Sequence, residues 1–288
     1  MSKLVSSAEK IFSLLSMIPQ KPGEFCDRMA AKVDVYRERY LLGKPRYQTA
    51  DWDAVIAGLN QSMHTNIEDC LREQPLQEIE GIVQQGIMAM PPDAPFNSRH
   101  NGDLYLGRLC YALTRIRRPR TIVETGVCYG VTSSFILKAL EVNGKGKLYS
   151  IDLPPLGKHA DQFVGRLIPQ TLRGNWTLKR GSSKAVMPGI IERVEQVDFF
   201  IHDSLHTYRN MRREFETVAP HLASNAVVVA DDVEGNVAFQ EWVAKSAPSY
   251  VAVLREQVKR KSLLGVAVWN QTQDVPSVVA VPEAVSRS

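Results

Sequence analysis

Two groups of residues in this chain could do chemistry. The first is Val123-Glu124-Thr125-Gly126-Val127-Cys128-Tyr129-Gly130. Glycines here would let the chain turn sharply and let a ligand approach the backbone. The amides of a following helix would face the same ligand. Further on, Asp152 closes the run Tyr149-Ser150-Ile151. A carboxylate accepts two hydrogen bonds at once, so an acid there suits the hydroxyls of a ribose. A dinucleotide site would prefer G-x-G-x-x-G. This loop instead has two glycines three residues apart, preceded by an acid that would repel a pyrophosphate. It suits a cationic ligand, or one carrying an amino group.

The second group is split between two segments, Phe199-Phe200-Ile201-His202-Asp203-Ser204-Leu205-His206-Thr207-Tyr208 and Val229-Ala230-Asp231-Asp232-Val233. Asp203, Asp231 and Asp232 offer hard oxygen ligands of the kind Mg²⁺ takes. Such an ion would hold and acidify a hydroxyl. His206 is the best general-base candidate, because an imidazole titrates near neutral pH. It could equally be a capping or core histidine. Asp231-Asp232 could simply start a loop that caps the next helix.

Alternating strands and helices must position these groups. From residue 103 onward the pattern predicts a helix over Leu104 to Ile116, a buried strand at Thr121 to Val123 and a helix over Val131 to Val142. Strands follow at Lys147 to Ile151, Trp176 to Lys179, Val197 to Ile201 and Ala226 to Ala230. A helix is expected to start near Ser183, with others over Tyr208 to Ala219 and Asn236 to Ala244. Such alternation implies βαβ units and a mostly parallel sheet. Continuous apolar strands such as Val227-Val228-Val229 fit a sheet covered on both faces. Tyr250 to Leu254 and Leu264 to Trp269 have no helix-length segment between them, so they pair as an antiparallel hairpin at the sheet edge. Both chemical groups then fall at carboxyl ends of parallel strands, where ligands bind in open α/β sheets.

Residues 1–95 read differently, as a helical region. Helices fit Ala8 to Met17, Phe25 to Leu42 and Trp52 to Leu71, punctuated by Pro19, Pro22, Pro45 and the run Pro91-Pro92-Asp93-Ala94-Pro95. The expected core spans residues 96–275, and residues 276–288 form a tail. Asn97, His100, Asn101 and Asp103 precede the core and could line a pocket rim, although a plain linker explains them too.

Composition narrows the classes. Lys and Arg number 35 against 31 Asp and Glu, too balanced for a nucleic-acid binder. The clusters Arg117-Arg118-Pro119-Arg120 and Lys259-Arg260-Lys261 are short enough to be solvated ends of elements. Cys26, Cys70, Cys110 and Cys128 form no CxxC pair, which points to reduced thiols and a cytoplasmic setting. No apolar run is long enough to span a bilayer.

Glu124, Gly126 and Gly130 match the first motif of the class I methyltransferases, an acidic residue followed by G-x-x-x-G. Over roughly residues 100–270 the sequence resembles that family. The resemblance implies a Rossmann-like, seven-stranded, mostly parallel sheet with an antiparallel C-terminal edge hairpin, and S-adenosylmethionine as cofactor. Gly126 and Gly130 would lie against its methionine part, within a binding set that includes Glu124, Val127, Tyr129 and Thr132. Asp152 would hold the ribose. Arg180-Gly181-Ser182-Ser183 resembles the adenine-side loop, with Ser182 and Ser183 as its binding residues. His202 and Asp203 would complete the cofactor set.

The later segments resemble a subgroup of small-molecule O-methyltransferases, the catechol type and the antibiotic-sugar enzymes. That subgroup carries an aspartate after strand four and an acidic pair, or Asp-Asn, after strand five. Asp231 and Asp232 match. His202 occupies the register expected for the first aspartate, and Asp203 follows one residue later. By this resemblance His206 and Asp231 are catalytic, and Asp203, Asp231 and Asp232 are the set for a metal, Mg²⁺ being the candidate. The acceptor would be a small molecule methylated at a hydroxyl oxygen. The N-terminal region would serve as lid or dimer interface, allowing a homo-oligomer. Two rival readings are a methyltransferase-like scaffold that has lost catalysis, and a nicotinamide-dependent oxidoreductase, against which Glu124 and the glycine spacing argue.

Overall fold

The computed structural model describes residues 12–41, 43–96, 104–157, 159–255 and 262–270. The rim residues Asn97, His100, Asn101 and Asp103, the cluster Lys259-Arg260-Lys261 and the tail lie outside them, as does the start of the helix expected from Ala8. After a helical stretch over 12–20 come α1 (Pro22–Leu41), α2 (Trp52–Met63), α3 (Ile67–Leu71), α4 (Gln74–Met88) and α5 (Leu104–Arg117). Then follow β1 (Thr121–Thr125), α6 (Val131–Asn143), β2 (Lys147–Asp152), β3 (Trp176–Arg180), α7 (Ser183–Val194), β4 (Val197–His202), α8 (Tyr208–Val218), β5 (Leu222–Ala230), α9 (Ala238–Ser246), β6 (Tyr250–Arg255) and β7 (Leu263–Val268).

The seven strands form one sheet in the order β3-β2-β1-β4-β5-β7-β6. The pairs β1–β2, β1–β4, β2–β3 and β4–β5 are parallel, while β7 runs antiparallel to both β5 and β6. This is the expected Rossmann-like, mostly parallel sheet with its antiparallel C-terminal edge hairpin. The chain leaves β1 toward β2 on one side and later returns to place β4 on the other. The crevice at that switch point, beyond the carboxyl ends of β1 and β4, is where such sheets bind ligands.

Alternation along each strand sends apolar side chains to both faces. Ile122, Leu148, Phe199 and Val229 pack under α5 and α6, and Val123, Phe200 and Val228 pack under α8 and α9. Phe135, Phe199, Phe200, Phe215 and Phe239 are fully buried, each stabilising the fold by about 1.5–3 kcal/mol relative to exposure. The N-terminal helices share the first of these cores: Val55, Leu59, Leu76, Ile79 and Val83 join the same cluster as the sheet.

Two helices depart from the sequence expectation. The helix expected over Trp52 to Leu71 breaks at His64, which takes a left-handed conformation with φ 51°. Asn60 spans the break, its Oδ1 accepting from the amide of Ile67 at 2.7 Å. No Gly or Pro marks the place; a side chain seven residues away substitutes for one. Helix α4 lies where the sequence reading has no element. Leu76, Ile79 and Val83 recur at helical spacing, but Gly81 and Gly86 interrupt the run and lower its propensity. Among the described residues no helix is long and apolar enough to cross a membrane.

Candidate active site

The glycine loop leaves β1 at Thr125. Gly126 has φ +86°, and its amide donates to Ile151 O at 2.8 Å. A Cβ there would stand 1.8 Å from the carbonyl oxygen of Asp203. Glycine is therefore required at 126 because the loops after β1 and β4 touch, whatever ligand binds. Gly130, with φ +87°, opens α6. A Cβ there would lie 2.9 Å from Gly165 Cα, because the connection from β2 to β3 folds back over the loop. Gly165 N donates to Cys128 O and Leu167 N to Tyr129 O, both at 2.9 Å.

Asp152 braces this loop from the end of β2. Its Oδ2 accepts the amides of Val127 at 2.7 Å and Cys128 at 2.8 Å. Burial raises its pKa above the usual aspartate value, and the two amides work against that rise. Tyr129 turns outward to the segment before α5: its hydroxyl donates to Phe96 O at 2.9 Å and accepts from Phe96 N at 3.1 Å. Thr132 is buried in the first turn of α6.

Glu124 sits beneath the loop on the α6 face. Its Oε2 accepts from Ser133 and from Ser150, each at 2.7 Å, and Ser150 in turn accepts from Trp176 Nε1 at 2.9 Å. Oε1 is buried without a hydrogen-bond partner. Burial pushes the carboxyl up to about 7, with the two hydroxyls only partly offsetting it.

In the loop after β3, Ser182 caps α7 and donates to Asp27 of α1 at 2.5 Å, while Ser183 meets Asn210 at 3.2 Å. Helix α1 in fact reaches several loops at the carboxyl edge. Glu24 pairs with Arg180 at 2.6 Å, Arg28 donates to Pro154 O at 2.7 Å, and Glu38 accepts from Tyr208 N at 2.6 Å. The Arg180 hydrogen bond holds Glu24 down at about 2 despite partial burial.

The second chemical group converges after β4 and β5. Asp203, His206 and Asp231 each offer a ligand atom, all within 4.8 Å of one another. Asp232, in a left-handed turn with φ 51°, places its Oδ2 2.7 Å from His206 Nδ1, and Asp203 Oδ1 stands 3.6 Å from His206 Nε2. The structure thus brings together Asp203, Asp231 and His206, with Asp232 orienting the imidazole. Burial and the neighbouring Asp231 carboxylate push Asp203 up to about 8. Burial disfavours a charged His206, but the nearby carboxylates of Asp203, Asp232 and Asp231 outweigh that and hold its pKa well above the usual histidine value. Asp231 Oδ1 is buried and unpartnered.

His202 lies elsewhere. It is fully buried on the face under α8, with Nδ1 2.6 Å from Glu214 Oε2. The alternation of β4 explains this: His202 continues the face of Phe200, while Asp203 is the first residue past the strand and turns into the crevice. The aspartate one residue late is therefore the one delivered to the cluster. The sequence reading missed Glu214, Asn210 and Asn236. Asn236 donates to His206 O at 3.2 Å and steadies its loop. Glu214 had a signal: it interrupts the apolar stripe of Met211, Phe215 and Val218, where an acid must be buried and partnered.

Residues 123–233 match the family model of a methyltransferase domain. That span runs from β1 to the turn after β5 and contains the glycine loop, Asp152 and the whole acid–histidine cluster. A Klebsiella pneumoniae structure assigned as an O-methyltransferase aligns with a TM-score of 0.50 at 16% identity, over 76% of this chain and 97% of that one. At that identity the likeness speaks to the fold. The O-methyltransferase of Bacillus cereus, solved in complex with SAH, aligns at 0.48 and 18% identity over 75% and 97% of the two chains. No curated protein sequence matches this chain.

Proposed function

We propose that this chain transfers the methyl group of S-adenosylmethionine to a hydroxyl oxygen of a small-molecule acceptor. One observation carries the reading: a braced glycine loop and an acid–histidine cluster meet at the switch point, with Asp203 backbone against Gly126. In this reading the amides of the glycine loop and Asp152 hold the methionine and ribose parts, and Ser182 and Ser183 border the adenine. Helix α1, latched to the loops after β2 and β3, acts as a lid.

The acceptor oxygen attacks the sulfonium methyl in line, the carbon–sulfur bond breaks, and S-adenosylhomocysteine leaves. Such a displacement gains chiefly from alignment of donor and acceptor. His206 takes the acceptor proton, aided by Asp231 and oriented by Asp232. In the resting protein the surrounding acids hold His206 protonated. A cationic donor beside those acids favours loss of that proton, which leaves the imidazole ready to accept another. The unpartnered Asp231 Oδ1 and the raised Asp203 also fit a divalent cation. Asp203 and Asp231 would hold Mg²⁺, which when bound would lower the pKa of the acceptor hydroxyl.

Calorimetric titration with S-adenosylhomocysteine, with and without Mg²⁺, tests the reading. Saturable binding at one site per chain is expected. A well-folded protein that takes up no S-adenosylhomocysteine in either condition would overturn it.

A further inference from the structure

Glu214 touches neither the glycines of the loop nor Asp203, His206 and Asp231, yet it holds the elements that carry them. It is 1% exposed on α8, and both of its oxygens are engaged. Oε2 accepts from Thr125 Oγ1 at 2.6 Å and faces His202 Nδ1 at 2.6 Å. Oε1 accepts from Ser204 Oγ at 2.8 Å and Asn210 Nδ2 at 2.9 Å. Thr125 immediately precedes Gly126, and His202 and Ser204 flank Asp203 on either side. A single carboxylate thus ties the root of the glycine loop to both chain neighbours of Asp203.

The backbone completes the linkage. Asp203 N donates to Thr125 O at 2.8 Å, and Asp231 N donates to His202 O at 2.9 Å. With its neighbours fastened under α8, Asp203 is left to point into the crevice, and Asp231 is registered against the same anchored residue. Asn210 also donates to Leu205 O at 3.0 Å, which fixes the approach to His206.

We infer that Glu214 is a positioning residue, setting the separation between the cofactor loop and the acid–histidine cluster. The inference rests on the proposed methyl transfer for its effect on rate, but its structural content stands without that reaction. A core-packing role alone would be met by any side chain that fills the space. Positioning needs two oxygens directed at two sides at once, and a fully hydrogen-bonded buried network specifies geometry in that way.

Two variants test it, Glu214→Gln and the milder Ser204→Ala, which removes one tether and leaves the buried pair with His202 intact. In the ligand-free protein, amide resonances of Asp203, His206, Asp231 and Asp232 should shift in both variants, and the Asp203 amide should exchange with solvent at least 10-fold faster. With S-adenosylmethionine and an accepted hydroxyl substrate, kcat should fall by about 10- to 100-fold in Glu214→Gln while KM for the cofactor stays within about 3-fold, as expected when only alignment is lost. Unmoved resonances and exchange in Ser204→Ala would overturn the inference, as would a Glu214→Gln protein that folds and keeps wild-type spectra. A wild-type protein that fails to bind S-adenosylhomocysteine would sink the proposed reaction instead, and the amide measurements would still decide the role of Glu214.

Discussion

Glu124 and Glu214 are each 1% exposed, lie on opposite faces of the same sheet, and end up in opposite electrostatic states. Glu124 is pushed up to about 7, whereas Glu214 is held near 2. Burial works to raise both. Glu124 has two hydroxyls on one oxygen, an orphaned second oxygen and the like charge of Asp152 nearby. Glu214 has both oxygens engaged and His202 against it. The number and kind of partners, rather than depth, decide whether a buried acid keeps its charge. The same contrast separates the two halves of the site. The half proposed to hold the cofactor is built from backbone amides and one bracing acid, while the half proposed to do the chemistry is a dense set of ionisable groups held from below.

The largest effect should come from removing the partnered acid. Glu214→Ala leaves His202 buried beside unmet hydroxyls and should cost about 3–5 kcal/mol, read from urea unfolding. A loss under about 1 kcal/mol would erase the contrast between the two glutamates. In the chemical half, His206→Ala should lower kcat by about 10²- to 10⁴-fold with cofactor affinity little changed. Wild-type turnover in that variant would remove His206 as base.

The contrast sharpens with pH. The folded pKa of Glu124 lies above its unfolded value, so the folded state binds the extra proton. Its contribution to stability is full below about 4.5 and is lost as pH rises to about 7. Glu124→Gln should abolish that decline, gaining at most about 3 kcal/mol at pH 8 over wild type. Glu214 has the opposite sign: its contribution is present above about 4.5 and lost as pH falls toward 2. Parallel urea midpoints at pH 3, 5 and 8 separate the two limbs, and equal pH slopes in wild type and Glu124→Gln would contradict the assignment. The smallest effect is expected on the cofactor side, where Asp152→Ala should weaken S-adenosylhomocysteine binding by about 10-fold, the size of a lost charged hydrogen bond. Unchanged affinity would leave Asp152 as a brace only.

Much of this arrangement was legible beforehand. Strand and helix periods located the sheet from Thr121 onward, and the edge hairpin followed from the short span between Leu254 and Leu264. Gly126, Asp152, Asp203, His206 and the Asp231-Asp232 pair stood out because they sit where strands end. Glu214 did not stand out, since an acid on a helix ordinarily faces water. Nor did the reason for Gly126, which is a contact with a loop some seventy-seven residues later in the chain.

What the sequence by itself determined was the set of elements and the ends at which chemistry could occur, because periodicity and strand termini are local properties. Only the tertiary structure decided which acid keeps its charge, that Asp232 turns to His206 while Asp203 and Asp231 face each other, and that His202 is withdrawn beneath α8. Those outcomes depend on distances between residues far apart in the chain and on how completely each buried group is partnered, and neither quantity exists until the sheet has closed around them.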